Sequence, residues 1–193
     1  MSLTLDPKTT ALMVMDYQTA IVDNFSAGKE ALLERTASLI AAARASGAKV
    51  IYVVVGFRAG YPEVSPRNMS FSAVRQSGMF GPAAPGTEIH AVVAPAQGEV
   101  VVTKHRVGAF LGTDLEMVLR AGGIETMVLA GIATSGVVLS TLRYAADADF
   151  RIVVVEDCCS DRDAEVHRVL MEKVFPRQAQ VAAAAEIAHA LSA

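Results

Sequence analysis

The chain has 193 residues, 52% of them hydrophobic and 19% charged, and a formal net charge of −3. That length suits one domain with a substantial core, expected to span residues 1–193, and so small a negative charge excludes a basic nucleic-acid surface and gives no reason to expect a polybasic membrane contact. No apolar run reaches the length of a membrane span, residues 1–7 lack the hydrophobic stretch of a signal peptide, and the adjacent Cys158 and Cys159 cannot staple distant segments, which points to a reducing cytoplasm.

Apolar runs alternate with helical patterns along the chain, the mark of a parallel sheet covered on both faces. The first strand is expected over residues 11–15. A helix over 31–45 follows, with Leu33, Ala37 and Ile40 on one face and Gly47 as its stop. Residues 49–55 and 99–103 read as the second and third strands. Between them, residues 56–98 are rich in Pro, Gly and Ser and carry Phe57, Tyr61, Phe71 and Phe80. A structureless loop of that length is foreign to a compact domain, so short helices folded over the site are expected there, as a lid or a subunit contact. The aromatics either wall a pocket or anchor the segment to the body. Thr113, Asp114, Leu115 and Glu116 form a capping box for a helix stopped by Gly122 and Gly123. Strands over 126–130, 151–156 and 179–182, with helices over 135–148, 164–174 and 184–191, complete the pattern. The fold class is α/β: a three-layer α/β/α architecture with a doubly wound, mostly parallel sheet of about six strands.

In doubly wound folds, ligands bind outside the carboxyl ends of the strands. The first strand ends in Asp16, followed by Tyr17 and Gln18; the third ends at Lys104, His105 and Arg106. A carboxylate directly after Met13, Val14 and Met15 must reach solvent in a crevice or meet a cation, and Lys104 is a candidate partner. The pair is either a proton-transfer group tuned by its neighbour or a structural ion pair or helix cap. The turn from Gly131 to Val138 follows an apolar strand and opens a helix, where backbone N–H groups suit an anion or oxyanion. A thiol one turn into that helix would be acidified; Val137 stands there instead. Thr134 or Ser135 is the expected N-cap.

Other chemistries lack their signatures. No Gly-rich turn follows the first strand, so neither a dinucleotide fingerprint nor a P-loop is present. Residues 133–137 lack the flanking glycines of G-x-S-x-G. His90, His105, His167 and His189 show no paired spacing, so no metal site is expected. His167 and His189 are expected on helix surfaces and His105 in a structural role. Cys158 and Cys159 read as buried residues, with a displaced thiol nucleophile at Cys158 as the alternative.

These residues also carry a resemblance that covers nearly the whole chain. Ala11 to Gln18, Val102 to Leu115 and Gly131 to Ala146, in that order, resemble the opening strand, the lysine segment and the nucleophile turn of the isochorismatase-like (cysteine) hydrolases. That group includes isochorismatases, nicotinamidases and N-carbamoylsarcosine amidohydrolases. The resemblance implies a parallel sheet of about six strands between helix layers, with Asp16 as general acid/base and Lys104 as its electrostatic partner. It implies a cis Ile132–Ala133 peptide, and places Gln18, Ile132, Ala133, Thr134, Ser135 and Gly136 around the substrate. Phe25, Phe57, Tyr61 and Phe110 are expected to wall the pocket. Counting from Gly131, Val137 falls where the family's cysteine stands, and Phe57-Arg58-Ala59-Gly60-Tyr61 offers no Asp-x-His metal motif. The implied activity is hydrolysis of a small polar molecule (a carboxylate, amide or vinyl ether) by Asp16 and Lys104. It would proceed without a covalent thiol, a cofactor or a metal. Separately, so apolar a composition in an enzyme of this shape points to a homodimer or homotetramer. The competing reading is a member that binds small molecules and has lost turnover.

Overall fold

The computed structural model describes residues 3–25 and 28–192. Among them, six strands form one all-parallel sheet: β1 (Thr10–Met15), β2 (Lys49–Val55), β3 (Val100–Lys104), β4 (Thr126–Ile132), β5 (Arg151–Ser160) and β6 (Gln180–Ala182). Their spatial order is β3-β2-β1-β4-β5-β6. β1 and β4 lie at the centre with every residue buried, as their unbroken apolar sequence requires. Alternation along β1 sends Leu12 and Val14 to one face and Ala11, Met13 and Met15 to the other.

Helices cover both faces. α1 (Thr19–Phe25), α2 (Lys29–Ser46), α3 (Met69–Ser77) and α7 (Ala184–Ser192) supply the first layer through Val22, Leu39, Ile40, Phe71 and Ile187. α4 (Leu115–Ala121) and α5 (Leu139–Asp147) bring Leu119 and Leu142 to the opposite face. α6 (Ala164–Val169) runs into a π-helical turn, Leu170–Val174, which buries Leu170 and Met171 there. The three-layer α/β/α reading therefore holds, and α3 is the short helix expected over residues 56–98. No described helix is long and apolar enough to cross a membrane.

Three local expectations need correction. The helix expected over 135–148 begins as a π turn, Thr134–Val138, and neither Thr134 nor Ser135 caps it with a side chain. The Thr134 hydroxyl bonds instead to His167 Nδ1 at 2.8 Å, and the Ser135 N–H donates to Asp161 Oδ2 at 2.7 Å. The capping box at Thr113 does not close: its hydroxyl donates to Ala109 O at 2.7 Å and accepts from Leu115 N rather than from Glu116. Finally, β5 continues four residues past Glu156. A register shift between Leu129 and Gly131 lets it re-pair, Gly131 with Cys159 and Ile132 with Ser160. That extension carries the chain to Arg162.

Candidate active site

The strand order reverses between β1 and β4, and a crevice opens at the carboxyl ends of such a pair. Asp16 is the first residue beyond β1. It adopts a left-handed backbone with φ 60°, and its N–H is anchored on Val53 O at 2.8 Å. A non-glycine residue pays for that conformation with strain, which surrounding structure must hold in place. Lys104 closes β3 two strands away. Its ammonium reaches Asp16 Oδ2 at 2.9 Å and donates to Arg106 O at 3.0 Å. The two side chains are 8% and 3% exposed. Asp16 Oδ1 is buried with no hydrogen-bond partner among the described residues. Burial pushes the Asp16 carboxyl above its ordinary value, and the Lys104 charge and hydrogen bond offset only part of that rise.

Both groups line a cavity of about 370 Å³, together with Ile132, Ala133, Gly136 and Val137 from the turn after β4. The Ile132–Ala133 peptide is cis. Gly131 lets that turn approach β1: a Cβ there would sit 3.0 Å from Val138 Cγ2 and 3.2 Å from Met15 O. Phe25, Phe71 and Phe80 close the cavity from the helix side, and the exposed Arg162 stands at its mouth. The Arg162 guanidinium lies 3.8 Å from the centre of the Phe25 ring, and its Nε donates to Asn24 O at 3.2 Å. No carboxylate pairs with it among the described residues. Arg162 is not among the strand-end candidates of the sequence because the expected fifth strand stops at Glu156; the apolar pair Cys158 and Cys159 is the sign that the strand continues.

Several expected site residues lie elsewhere. Gln18 does not line this cavity: its amide donates to Val55 O at 3.0 Å and Thr87 O at 2.8 Å and accepts from Val55 N at 2.7 Å. Both donors are thereby occupied. Thr134 is fully buried with its hydroxyl on His167, so His167 latches the turn rather than sitting idle on a surface. The Ser135 and Gly136 N–H groups are taken by Asp161 and by Ala133 O, which leaves neither for an oxyanion. Phe57 lines an adjacent hollow of about 460 Å³, shared with Gln18 and His105. Tyr61 packs behind Phe57 and donates to Met79 O at 2.9 Å. Phe110 lies on the far face of the sheet, stacked on Tyr144 at 4.3 Å, because its partners there are α4 and α5. Of the four expected wall aromatics, only Phe25 faces the ion pair. Cys158 and Cys159 are buried on opposite faces, and burial pushes the Cys158 thiol up to about 11 and raises Cys159 further. Among the described residues, no cluster of three or more His, Cys, Asp or Glu side chains is placed to hold a metal ion.

Comparison with known proteins fits this architecture. An isochorismatase domain model matches residues 10–186. An isochorismatase family protein of Escherichia coli O157:H7, YecD, is 37% identical over 98% of this chain and all of its own length. A maleamate amidohydrolase of Pseudomonas putida is 32% identical, over 81% of this chain and 75% of that one. The solved structure of an isochorismatase family protein from Burkholderia thailandensis superposes with a TM-score of 0.84 at 32% identity, covering 98% of both chains. The chain therefore belongs to the isochorismatase family of hydrolases.

Proposed function

We propose that this hydrolase cleaves a small molecule bearing a carboxylate and an amide or vinyl ether, with Asp16 moving the proton and no thiol intermediate. The observation that carries the reading is the buried Asp16–Lys104 pair, 2.9 Å apart beside a cavity that no cysteine lines, with Asp16 Oδ1 unpaired among the described residues. Similarity to a maleamate amidohydrolase supports an amide as the scissile group.

For an amide, the Asp16 carboxylate takes a proton from water as the water oxygen bonds to the carbonyl carbon. The carbon–nitrogen bond then breaks, and the proton passes from Asp16 to the leaving nitrogen. Lys104 holds Oδ2 and keeps a third N–H to steady the negative charge that develops on the carbonyl oxygen. Arg162, flattened against Phe25, presents its remaining N–H groups to the substrate carboxylate. Val137 takes the place in the turn where a thiol would attack, so the proton carrier has to work on water directly.

Asp16→Asn is expected to lower turnover about 100- to 10,000-fold in a protein that still melts cooperatively. Val137→Ala is expected to keep most of it. A fully active Asp16→Asn protein ends this reading. Val137, 2% exposed, also favours a second one: a family member that binds and does not turn over. Binding of carboxylates without hydrolysis across a panel of amides and vinyl ethers decides for that reading. One domain over residues 1–193, a cytoplasmic location and a homodimer or homotetramer complete the proposal. The buried unpaired thiols support the location, and the exposed Leu111, Met117 and Tyr144 support self-association.

A further inference from the structure

The wall of the cavity has a character that the ion pair does not demand. Apart from Asp16, Lys104, Asn24 and Arg162, the side chains of the lining are apolar, among them Phe25 from α1, Phe71 and Val74 from α3, Met79 and Phe80 just after it, and Val137 from the turn. A compact polar substrate, fully hydrogen-bonded in water, gains little from such a surface, and its remaining polar atoms lose their water against it.

The wall is also braced from behind. The Phe57 ring meets Phe71 edge-on at 5.5 Å and lies 5.4 Å from Tyr61, whose hydroxyl holds Met79 O. Phe80 keeps a left-handed backbone with φ 58°, fixed by the bond from Phe57 N to Phe80 O at 2.8 Å. Phe71 and Phe80 are nearly buried, at 7% and 8% exposed, yet line a cavity of about 370 Å³. Apolar side chains packed in place around a cavity form a preorganised pocket for an apolar guest.

We propose that the substrate has a bulky apolar body, an aryl or branched alkyl group, that packs against Phe25, Phe71, Val74, Met79 and Phe80 while its scissile group faces Asp16. This substrate class rests on the hydrolytic reading above, but its recognition is a matter of the wall alone.

The test separates the two. Dissociation constants of acetate, butyrate, hexanoate and 3-phenylpropionate are measured by titration calorimetry, so that charge stays constant while the apolar body grows. The expected gain is about fourfold in affinity per added methylene until the cavity fills. In the Phe71→Ala protein the gain for 3-phenylpropionate is expected to fall about tenfold or more, with acetate unchanged. Equal affinity across the series, or equal losses for acetate and 3-phenylpropionate in Phe71→Ala, overturns the proposal. Hydrolysis of the monoamides of succinate and terephthalate is followed in parallel. Steep size dependence with neither amide cleaved keeps the substrate class and removes the hydrolytic reading. Cleavage of succinamate with a flat affinity series does the reverse.

Discussion

Two hollows open side by side at the carboxyl edge of the sheet, with Val55 and Phe80 forming the partition between them. The larger, about 460 Å³, displays Gln18, Arg58, Thr87, Thr103 and His105; the smaller, about 370 Å³, displays mostly carbon around Asp16 and Lys104. By polarity alone the larger one looks more reactive. Three of its polar side chains, however, are already engaged. Gln18 is occupied by Val55 and Thr87, His105 Nδ1 lies 2.5 Å from Gly56 O, and Arg58 is paired with Glu63 at 2.6 Å. Beside the smaller hollow, Asp16 Oδ1 is buried without a hydrogen-bond partner among the described residues. Unspent hydrogen-bonding capacity, not the number of polar residues, separates a site that can react from one that merely holds the fold together.

The largest effect that would sharpen this contrast comes from Lys104→Met. Lys104 is what draws the Asp16 carboxyl back toward its ordinary value against burial, so its loss lets that carboxyl rise further. The ionised carboxylate needed to take a proton then exists only at higher pH. We expect turnover about 100- to 1,000-fold lower, and an acid limb of the kcat/KM profile displaced upward in pH. Stability follows the same linkage. A carboxyl whose folded value is raised binds its proton more tightly in the native state, so stability falls as pH rises from the ordinary value through the raised one. In Lys104→Met that window extends to higher pH, which melting curves across the acid range would register. An acid limb unmoved by the substitution would mean that Asp16 is not the titrating group.

How much of this was legible in the sequence depends on whether a feature is local. β2 matches its expected bounds, and the other five strands fall within a few residues of theirs, because apolar runs between turn residues report burial on both faces. Asp16 and Lys104 were readable as strand-end charges. What escaped depends on partners far away in the chain. Nothing near Ser135 shows that its N–H goes to Asp161, twenty-six residues later. Nothing near Phe110 shows that it turns to the face opposite Asp16, since an aromatic just past a strand end fits either side of the sheet. The extension of β5 rests on a bulge, whose only local trace is the apolar pair Cys158 and Cys159 after two acidic residues. α1 went unread because seven residues with two buried positions give too short a pattern.

A moderate effect is expected from Gln18→Ala, which tests the larger hollow as a structural one. The substitution strands the Val55 N–H and two carbonyl groups, and a buried unsatisfied group costs about 1–3 kcal/mol. In a chain of this size that lowers the melting temperature by roughly 2–12 °C. Turnover at saturating substrate should stay within about threefold, an interval under 1 kcal/mol. Loss of activity without loss of stability would move Gln18 into the chemistry and erase the distinction between the two hollows.

The smallest effect is expected at Cys158. Its side chain is fully buried in the core beside Thr36, and the Tyr17 hydroxyl bonds at 2.6 Å to its backbone oxygen, a bond that alanine retains. Cys158→Ala removes one sulfur from a packed interior, at a cost of about 1 kcal/mol, and should leave kcat and KM unchanged. With burial pushing the thiol up to about 11, the nucleophilic thiolate is scarce at neutral pH. Iodoacetamide should therefore leave the native enzyme active at pH 7 and modify it only after unfolding. Inactivation at neutral pH in the parent, absent from Cys158→Ala, would put a sulfur back into the reaction and require a path from the core to the cavity that the packing of β5 does not provide.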